Sequence, residues 1–239
     1  MKIQPVRGTH DIYGEDLLLY RFIETTISKL AQVYDYNEII TPIFESTDLF
    51  KKPLGEHSEI VLKEMYSFKD RNDSSLTLRP EYTTPMIRAS ISNNLLNKLP
   101  VKLFGFGPMF RRERPQKGRF RQFNQINIEI LGTDDSCADA EIIILANEFL
   151  KKIISKKPFK LFINSLGDKD TIIKYKKNLT NFFEKYKNDL SEDSKKKIYS
   201  NPLRILDSKN ERDINLSNNS PQIEKFYTSS AKRKFEEVL

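Results

Sequence analysis

Six basic side chains and one acid are concentrated in eleven residues near the middle of the chain. The stretch, residues 111–121, reads RRERPQKGRFR and is called the basic loop below. It carries a charge of +5, which leaves +2 of the formal net charge of +7 for all other residues. So dense a cluster predicts a partner rich in phosphate, either a nucleotide or a nucleic acid. A solvated charge run is the alternative that composition alone would favour.

The familiar glycine-rich phosphate loops are missing from the sequence. No G-x-x-x-x-G-K-[ST] stretch is present, and Gly105 and Gly107 lie in a strand-like pattern without the third glycine of a dinucleotide fingerprint. If the chain binds a nucleotide, arginine side chains must therefore do what a glycine-rich loop does elsewhere.

Two polar residues that follow the basic loop are placed to act together. Gln125 and Glu129 are four residues apart in a strand-like segment, so a period of two puts both side chains on one face. A carboxylate in a strand interior is costly unless it is paired, which favours a binding role for Glu129. The alternative is that Glu129 faces outward from a half-buried sheet.

The elements that must position these residues follow from the spacing of apolar side chains. The pattern predicts a helix over residues 15–34, a short strand over 38–42, a β-hairpin from 65–69 and 76–79, and a helix opened by Thr84 as N-cap and Pro85 that runs to about residue 96. Two strands, 101–110 and 122–131, flank the basic loop, a helix starts near Ala138, and 159–163 is a further strand.

This order of elements predicts an α+β fold, in which an antiparallel sheet is flanked by helices. The composition shifts after about residue 166 towards Lys, Asn, Asp and Ser. We therefore divide the chain into a core over residues 1–167 and a small helical insertion or appendage over residues 168–239.

Composition excludes several classes of protein. The 239 residues include 38% hydrophobic side chains, enough for a sizeable core, and the single cysteine, Cys137, excludes an intrachain disulfide framework and a multi-cysteine zinc site. With only His10 and His57, a histidine-rich metal site is excluded, and no metal site is predicted. No apolar run is long enough to span a bilayer and no signal peptide is present, so we expect a cytoplasmic protein without membrane contact.

Four segments together resemble the class II aminoacyl-tRNA synthetases, and more narrowly the histidyl-tRNA synthetases. Residues 110–123 (FRRERPQKGRFRQF) are similar to the second signature motif of that class. Residues 6–11 (VRGTHD), 76–81 (LTLRPE) and 201–209 (NPLRILDSK) agree with the histidyl family in order and spacing. The resemblance implies the class II catalytic core, and an enzyme that joins L-histidine to tRNA(His) with ATP and Mg²⁺.

The resemblance also implies roles for the basic loop. Arg111 matches the catalytic arginine at the α-phosphate of ATP, and its planar fork suits two phosphate oxygens. Glu113 matches a residue that contacts the adenine, and Arg119 one that reaches the terminal phosphates. Gln116 and Arg121 match positions that contact the tRNA acceptor end. We expect the remaining arginines of the loop, Arg112 and Arg114, to be solvated.

The same resemblance implies a histidine site made of acids, an amide and a hydroxyl. Glu81, Thr83 and Gln125 match positions that hold the α-ammonium group, and Glu129 matches an acceptor for the imidazole N–H. Tyr82 is assigned to this site as well, although many bacterial members have glycine after the Pro-Glu pair. That difference concerns the shape of the ammonium site.

Family members form homodimers, and the resemblance implies the same here through residues 38–47, where Pro42 matches the proline of the first motif. The third motif and the anticodon-binding domain of the family are absent from the chain, so we expect it to be inactive alone. Two alternatives stay open. One is a histidine-sensing regulatory paralogue like that of ATP phosphoribosyltransferase, and the other is a class II synthetase for another amino acid, such as proline or threonine.

Overall fold

The computed structural model describes residues 3–54, 61, 64–113, 118–154 and 158–239. The chain divides into two compact units, residues 1–158 and residues 159–239. The second unit thus begins nine residues before the compositional boundary predicted at residue 168, and Asp168 is the N-cap of its first helix.

The described strands of the first unit form two three-stranded sheets. One has the order β1-β5-β6 and the other the order β2-β4-β3. The strands are β1 (Asn37–Glu38), β2 (Phe44–Ser46), β3 (Tyr66–Lys69), β4 (Ser75–Leu78), β5 (Val101–Phe110) and β6 (Gln122–Leu131). The hairpin β3–β4 and the long pair β5–β6 have the predicted bounds within one residue. Of the predicted strand 38–42 only Glu38 lies in a strand, as the last residue of β1.

Four helices accompany these strands: α1 (Gly14–Val33), α2 (Thr47–Leu54), α3 (Thr83–Ser92) and α4 (Ser136–Ile153). Helix α1 confirms the predicted helix, with Ile27 and Ala31 fully buried. Helix α4 begins after Asp135, whose side chain accepts a hydrogen bond from the backbone N–H of Cys137. Helix α3 ends earlier than predicted, and a 3₁₀ turn follows it at Leu95–Asn97.

The side chains of strand β6 are apolar on one face of the sheet and polar on the other. Its residues Ile126, Ile128 and Ile130 pack with α1 and α4 around Phe104, Ile27 and Leu145. The alternate residues point to the other face, where Tyr82, Met86, Leu103 and Met109 form a second apolar cluster. On that second face β6 carries Gln125, Asn127 and Glu129, because side chains of a strand alternate between its two faces.

The α+β class is confirmed, as is the antiparallel sheet with helices against it. One pair differs, since β1 runs parallel to β5. The predicted strand 159–163 is wrong: residues 158–168 have no strand assignment, and Phe162 is 87% exposed. A strand needs a hydrogen-bonded neighbour, and no described strand pairs with this segment. No described helix combines the length and the apolar character needed to cross a membrane.

The second unit is helical, as the sequence predicts. Its helices are α5 (Lys169–Lys185), α6 (Glu192–Lys197), α7 (Leu203–Leu206), α8 (Glu211–Ser217) and α9 (Ser229–Val238). A core of its own holds them together, made of Tyr175, Leu179, Phe183, Leu190, Ile198, Ile205 and Ile223. The segment 201–209 supplies α7, and through Ile205 this short helix enters the core.

A fully buried carboxylate organises one end of this unit. Asp213 accepts hydrogen bonds from the backbone N–H of Ser191 at 2.8 Å and from three serine hydroxyls, those of Ser191, Ser194 and Ser208, at 2.6–2.7 Å. Burial raises the pKa of Asp213, but these donors outweigh it and lower that pKa from 3.8 to about 2. Asp213 therefore joins α8 to the start of α6 and to the segment after α7.

Candidate functional site

The basic loop is anchored where β5 ends and β6 begins. Phe110 pairs with Gln122 at the last rung of the two strands, and the backbone N–H of Arg111 donates to the carbonyl of Arg121 at 3.0 Å. The structure describes residues 111–113 and 118–121 of the loop. The predicted acceptor-binding residue Gln116 lies outside the described residues, as does Arg114.

Arg111 is held at the root of the loop by a backbone group from another segment. Its Nε donates to the carbonyl oxygen of Pro80 at 2.8 Å, and its guanidinium lies 5.2 Å from the centre of the Phe123 ring. The backbone N–H of Phe110 donates to the carbonyl of Arg79 at 3.0 Å. These contacts hold the half-buried Arg111 side chain against the segment of residues 79–84 and leave its two terminal nitrogens for a ligand.

Glu113 and Arg119 face each other across the loop. Nη1 of Arg119 lies 3.2 Å from Oε2 of Glu113. The two residues to which the resemblance assigns adenine and terminal phosphates therefore form an ion pair in this structure. Arg119 is exposed, so this pair is screened and contributes little to stability.

Arg121 lies against the N-terminal segment that carries the sequence VRGTHD. Its backbone N–H donates to the carbonyl of Gly8 at 2.7 Å. Gly8 has a φ of +87°, and a β-carbon there would lie 2.8 Å from Cγ of Arg121. The ring of His10 packs against that of Phe120, with ring centres 4.6 Å apart and planes tilted by 49°. The N-terminal motif thus supports the returning side of the basic loop.

The predicted histidine-binding residues form a chain of hydrogen bonds on the polar face of β6. Thr83 donates from Oγ1 to Oε1 of Glu129 at 2.7 Å. Asn127 donates from Nδ2 to Thr83 Oγ1 at 2.8 Å and to Glu129 Oε1 at 2.9 Å. Gln125 donates from Nε2 to Asn127 Oδ1 at 2.7 Å. The alternative of an outward-facing Glu129 does not hold, since Glu129 is half-buried and contacts α3.

Asn127 is the site residue that the sequence reasoning missed. It is the centre of the chain of hydrogen bonds and is 9% exposed. The signal was present, because Asn127 lies between Gln125 and Glu129 at the same period of two. Within the described residues, Oε1 of Gln125 is buried and has no hydrogen-bond partner.

Glu81 caps helix α3, a role that the sequence analysis assigned to Thr84. Its carboxylate accepts the backbone N–H of Thr84 at 3.1 and 3.3 Å, and α3 begins at Thr83. The prediction that Thr84 is the N-cap is therefore wrong, because Thr84 already belongs to the helix. Its N–H is satisfied by Glu81, three residues earlier in the chain. Glu81 is buried, beside Thr83 and near the root of the basic loop.

Tyr82 takes no part in the side-chain hydrogen bonds described for the other predicted site residues. Its side chain is fully buried, and its hydroxyl donates to the carbonyl of Ile39 at 3.1 Å. The assignment of Tyr82 to contact with histidine is not supported by this placement, because its ring belongs to the apolar cluster with Met86.

The segment of residues 79–84 connects the two groups of side chains. The carbonyl of Pro80 holds Arg111, while Thr83 contacts Glu129. The arrangement therefore combines a cationic group at one end with carboxylate and amide acceptors at the other. Among the described residues, no three His, Cys, Asp or Glu side chains are grouped as metal ligands.

This chain is similar in sequence to the histidyl-tRNA synthetases. A sequence model described as histidyl-tRNA synthetase matches residues 8–177. The histidine–tRNA ligase of Wolbachia pipientis wMel is 48% identical over 239 residues, covering 100% of this chain and 58% of that protein. The histidine–tRNA ligase of Orientia tsutsugamushi strain Ikeda is 44% identical over 240 residues.

Solved structures agree with this result. Apo histidyl-tRNA synthetase from S. aureus is similar with a TM-score of 0.76 and 34% identity, over 99% of this chain and 53% of that one. A Bacillus halodurans structure, titled as an ATP phosphoribosyltransferase regulatory subunit/histidyl-tRNA synthetase, has a TM-score of 0.62 at 21% identity and shares the fold. The chain spans 57–58% of the length of the curated relatives it matches.

Proposed function

The chain belongs to the histidyl-tRNA synthetase family, and from this premise we propose that the whole protein is a cytoplasmic histidine–tRNA ligase. In the first step a carboxylate oxygen of L-histidine attacks the α-phosphorus of ATP, which enters as its magnesium complex. The bond to pyrophosphate breaks and histidyl-adenylate forms. In the second step a ribose hydroxyl of the terminal adenosine of tRNA(His) attacks the carbonyl carbon, and AMP leaves.

The observation that carries this proposal is the set of acceptors on the polar face of β6. Within the described residues, the hydrogen bonds of Glu129 all engage Oε1, and Oε1 of Gln125 is buried without a donor. A buried acceptor that lacks a donor is costly. Oε1 of Gln125 and the second carboxylate oxygen of Glu129, Oε2, therefore suit a ligand that supplies N–H groups. We assign the α-ammonium group of histidine to Gln125, Glu81 and Thr83, and the imidazole N–H to Glu129.

Arg111 is assigned to the α-phosphate of ATP. Phosphoryl transfer is catalysed mainly by positioning and by cations that stabilise developing charge. The bond from Arg111 Nε to the carbonyl of Pro80 fixes the guanidinium, so its two terminal nitrogens can meet two phosphate oxygens. For Glu113 to reach adenine and Arg119 to reach the terminal phosphates, ATP must separate the ion pair between them.

The rest of the basic loop is assigned to the acceptor end of tRNA(His), with Gln116 and Arg121 as contacts. The described part of the loop supports this role through its charge, because Arg112 is exposed and Arg121 is half-buried. Arginines in such a loop bind the phosphate backbone without reading sequence.

We propose that the whole protein is a homodimer through residues 38–47. Within this segment Ile40 is 78% exposed, and Ile43 and Phe44 also expose large apolar side chains. Adjacent apolar side chains on a surface favour a protein contact. Sedimentation of the whole protein at micromolar concentration should give the mass of a dimer, and a strict monomer would contradict this part of the proposal.

A charging assay tests the proposed function. The whole protein, given ATP, Mg²⁺, labelled histidine and unfractionated tRNA, should attach histidine to tRNA. Binding of histidine without any charging would instead indicate the histidine-sensing regulatory protein. Such a protein has no acceptor stem to bind and hence no need for the dense arginine pattern of the basic loop.

A further inference from the structure

We propose that Tyr82 is a positioning residue, which holds Glu81 and Thr83 in the geometry that binds the ammonium group of histidine. The proposal rests on the proposed function, and it assigns to Tyr82 an action through its two neighbours rather than contact with the substrate. Both neighbours belong to the candidate site, whereas the ring of Tyr82 is fully buried beneath it.

The ring of Tyr82 fits a slot made by two glycines of β5. A β-carbon at Gly105 would lie 2.8 Å from Cδ1 and Cζ of Tyr82, and closer still to Cε1. A β-carbon at Gly107 would lie 2.7 Å from Nη2 of Arg79. A side chain at position 105 would therefore displace the Tyr82 ring, whereas at position 107 it would meet the Arg79 guanidinium and only touch the ring, at 3.7 Å.

Arg79 packs on the Tyr82 ring and is itself attached to β5. Its guanidinium lies 4.4 Å from the centre of the Tyr82 ring, and the Arg79 side chain is 2% exposed. The guanidinium donates from Nε to the carbonyl of Pro108 at 3.0 Å and from Nη1 to the carbonyl of Thr41 at 2.8 Å. A buried cation stacked on an aromatic ring stabilises the position of both groups.

The hydroxyl of Tyr82 attaches the ring to a third part of the fold. It donates to the carbonyl of Ile39 at 3.1 Å, so Tyr82 and Arg79 both attach to the short segment that follows β1. The backbone of residues 79–83 is therefore held against β5 and against this segment at once. Because Glu81 and Thr83 flank Tyr82, a shift of the ring changes the separation between the Glu81 carboxylate and the Thr83 hydroxyl.

Histidine-dependent ATP–pyrophosphate exchange by the whole protein, with Tyr82→Leu and Tyr82→Phe, tests the proposal. Tyr82→Leu keeps an apolar side chain but loses the ring and its hydroxyl, and we expect kcat/KM for histidine to fall on the order of tenfold to a hundredfold. The KM for ATP should rise less than the KM for histidine, because among the described residues assigned to ATP only Arg111 is attached to this segment, through the carbonyl of Pro80. Tyr82→Phe keeps the ring between Arg79 and Gly105, and it should restore most of the activity.

Met86→Ala is the matched control, because Met86 is fully buried in the same apolar cluster as Tyr82 and its side chain takes no part in the hydrogen bonds described for Glu81, Thr83 and Glu129. It should lower the melting temperature without changing the KM for histidine. A folded Tyr82→Leu variant with the KM and kcat of the unmutated protein would overturn the proposal, and so would an equal loss in Met86→Ala.

Amide hydrogen exchange separates this proposal from the proposed function. The N–H of Thr84, which Glu81 caps, should exchange faster in Tyr82→Leu than in Met86→Ala. If the unmutated protein showed no histidine-dependent exchange of pyrophosphate, the proposed function would fail. The amide measurement would still decide whether Tyr82 holds Glu81, and equal rates in the two variants would overturn that.

Discussion

The hydroxyl of Thr83 donates to the carboxylate of Glu129 at 2.7 Å and thereby joins the first residue of α3 to β6. The two residues are 46 positions apart in the chain. The contact occupies Oε1 of Glu129, which Asn127 also contacts, and it fixes the direction of the carboxylate. A carboxylate held in this way is pre-organised for an N–H donor, since it need not reorient when the ligand binds.

Glu129→Gln should weaken binding of histidine. An amide oxygen is a poorer acceptor for the imidazole N–H than a carboxylate, and hydrogen bonds to charged groups contribute roughly 1.5–3 kcal/mol. We expect the KM for histidine to rise by about tenfold to a hundredfold, with an unchanged KM for ATP. Glu148→Gln on α4 is the control and should behave as the unmutated protein. Unchanged kinetics for histidine would remove Glu129 from the site.

Asn127→Ala should lower both the stability and the affinity for histidine. The substitution takes donors from Thr83 and Glu129 and leaves Nε2 of Gln125 without its acceptor, at a cost of about 1–3 kcal/mol. Thermal unfolding and a histidine titration measure the two effects. Asn124→Ala is the matched control, because Asn124 is exposed on the other face of the same strand. Equal effects of the two substitutions on stability and on histidine affinity would contradict the role of Asn127 in the site.

Arg111→Ala should abolish formation of histidyl-adenylate without unfolding the protein. The side chain is half-buried, and within the described residues its hydrogen bonding is limited to the carbonyl of Pro80, so the fold depends little on it. Loss of a group that stabilises transition-state charge lowers kcat by roughly 10²–10³. Arg112→Ala, at an exposed position next to it, should retain exchange of pyrophosphate. Near-normal exchange by Arg111→Ala would remove the arginine from its assigned role.

Acid should destabilise the second unit between about pH 4 and about pH 2. The folded pKa of Asp213 is depressed to about 2, so its stabilising effect is present above the unfolded pKa of 3.8 and is lost as the pH falls through the folded value. Amide exchange of residues 190–215 in the whole protein, followed against pH, measures this loss. In Asp213→Asn these amides should exchange faster at neutral pH, with a weaker dependence on acid. The same pH profile in both proteins would contradict the role of Asp213.

The chain of residues 1–239 alone should bind RNA weakly and with a strong dependence on salt. Attraction to phosphates needs clustered charge and no complete pocket, so little preference among tRNAs is expected. Replacing both Arg119 and Arg121 by Ala should lower the slope of log affinity against log salt by about 2. Fluorescence anisotropy with labelled RNA measures the slope. An unchanged slope would place the RNA-binding charge elsewhere.

The long strands could be predicted from sequence because their own residues determine them. β6 alternates polar residues with isoleucine from Gln125 to Ile130, and β5 is an apolar run in which Lys102 is the one charged residue. The basic loop cannot continue either strand. The shared face of Gln125 and Glu129 follows from this alternation. Asn127 obeys the same rule and was missed only because the resemblance assigns it no role.

Other features depend on partners that lie far away in the chain. Thr84-Pro85 has the composition of a helix start, but the helix begins one residue earlier, at Thr83, and the carboxylate of Glu81 accepts the N–H of Thr84. Tyr82 has the type of a ligand-binding residue, yet the slot that buries it is made by Gly105 and Arg79. The segment 159–163 is apolar enough for a strand but has no strand neighbour among the described residues. Such pairings are three-dimensional, and local sequence does not contain them.

The most direct test of the proposed function is ATP–pyrophosphate exchange by the whole protein with each of the twenty amino acids. A site that pairs the imidazole N–H with Glu129 should reject amino acids without that group by roughly 10⁴-fold or more. We predict exchange with histidine and background rates with the other nineteen. Exchange driven by proline, threonine or any other amino acid at the rate of histidine would contradict this account. Absence of exchange with all twenty would contradict it equally.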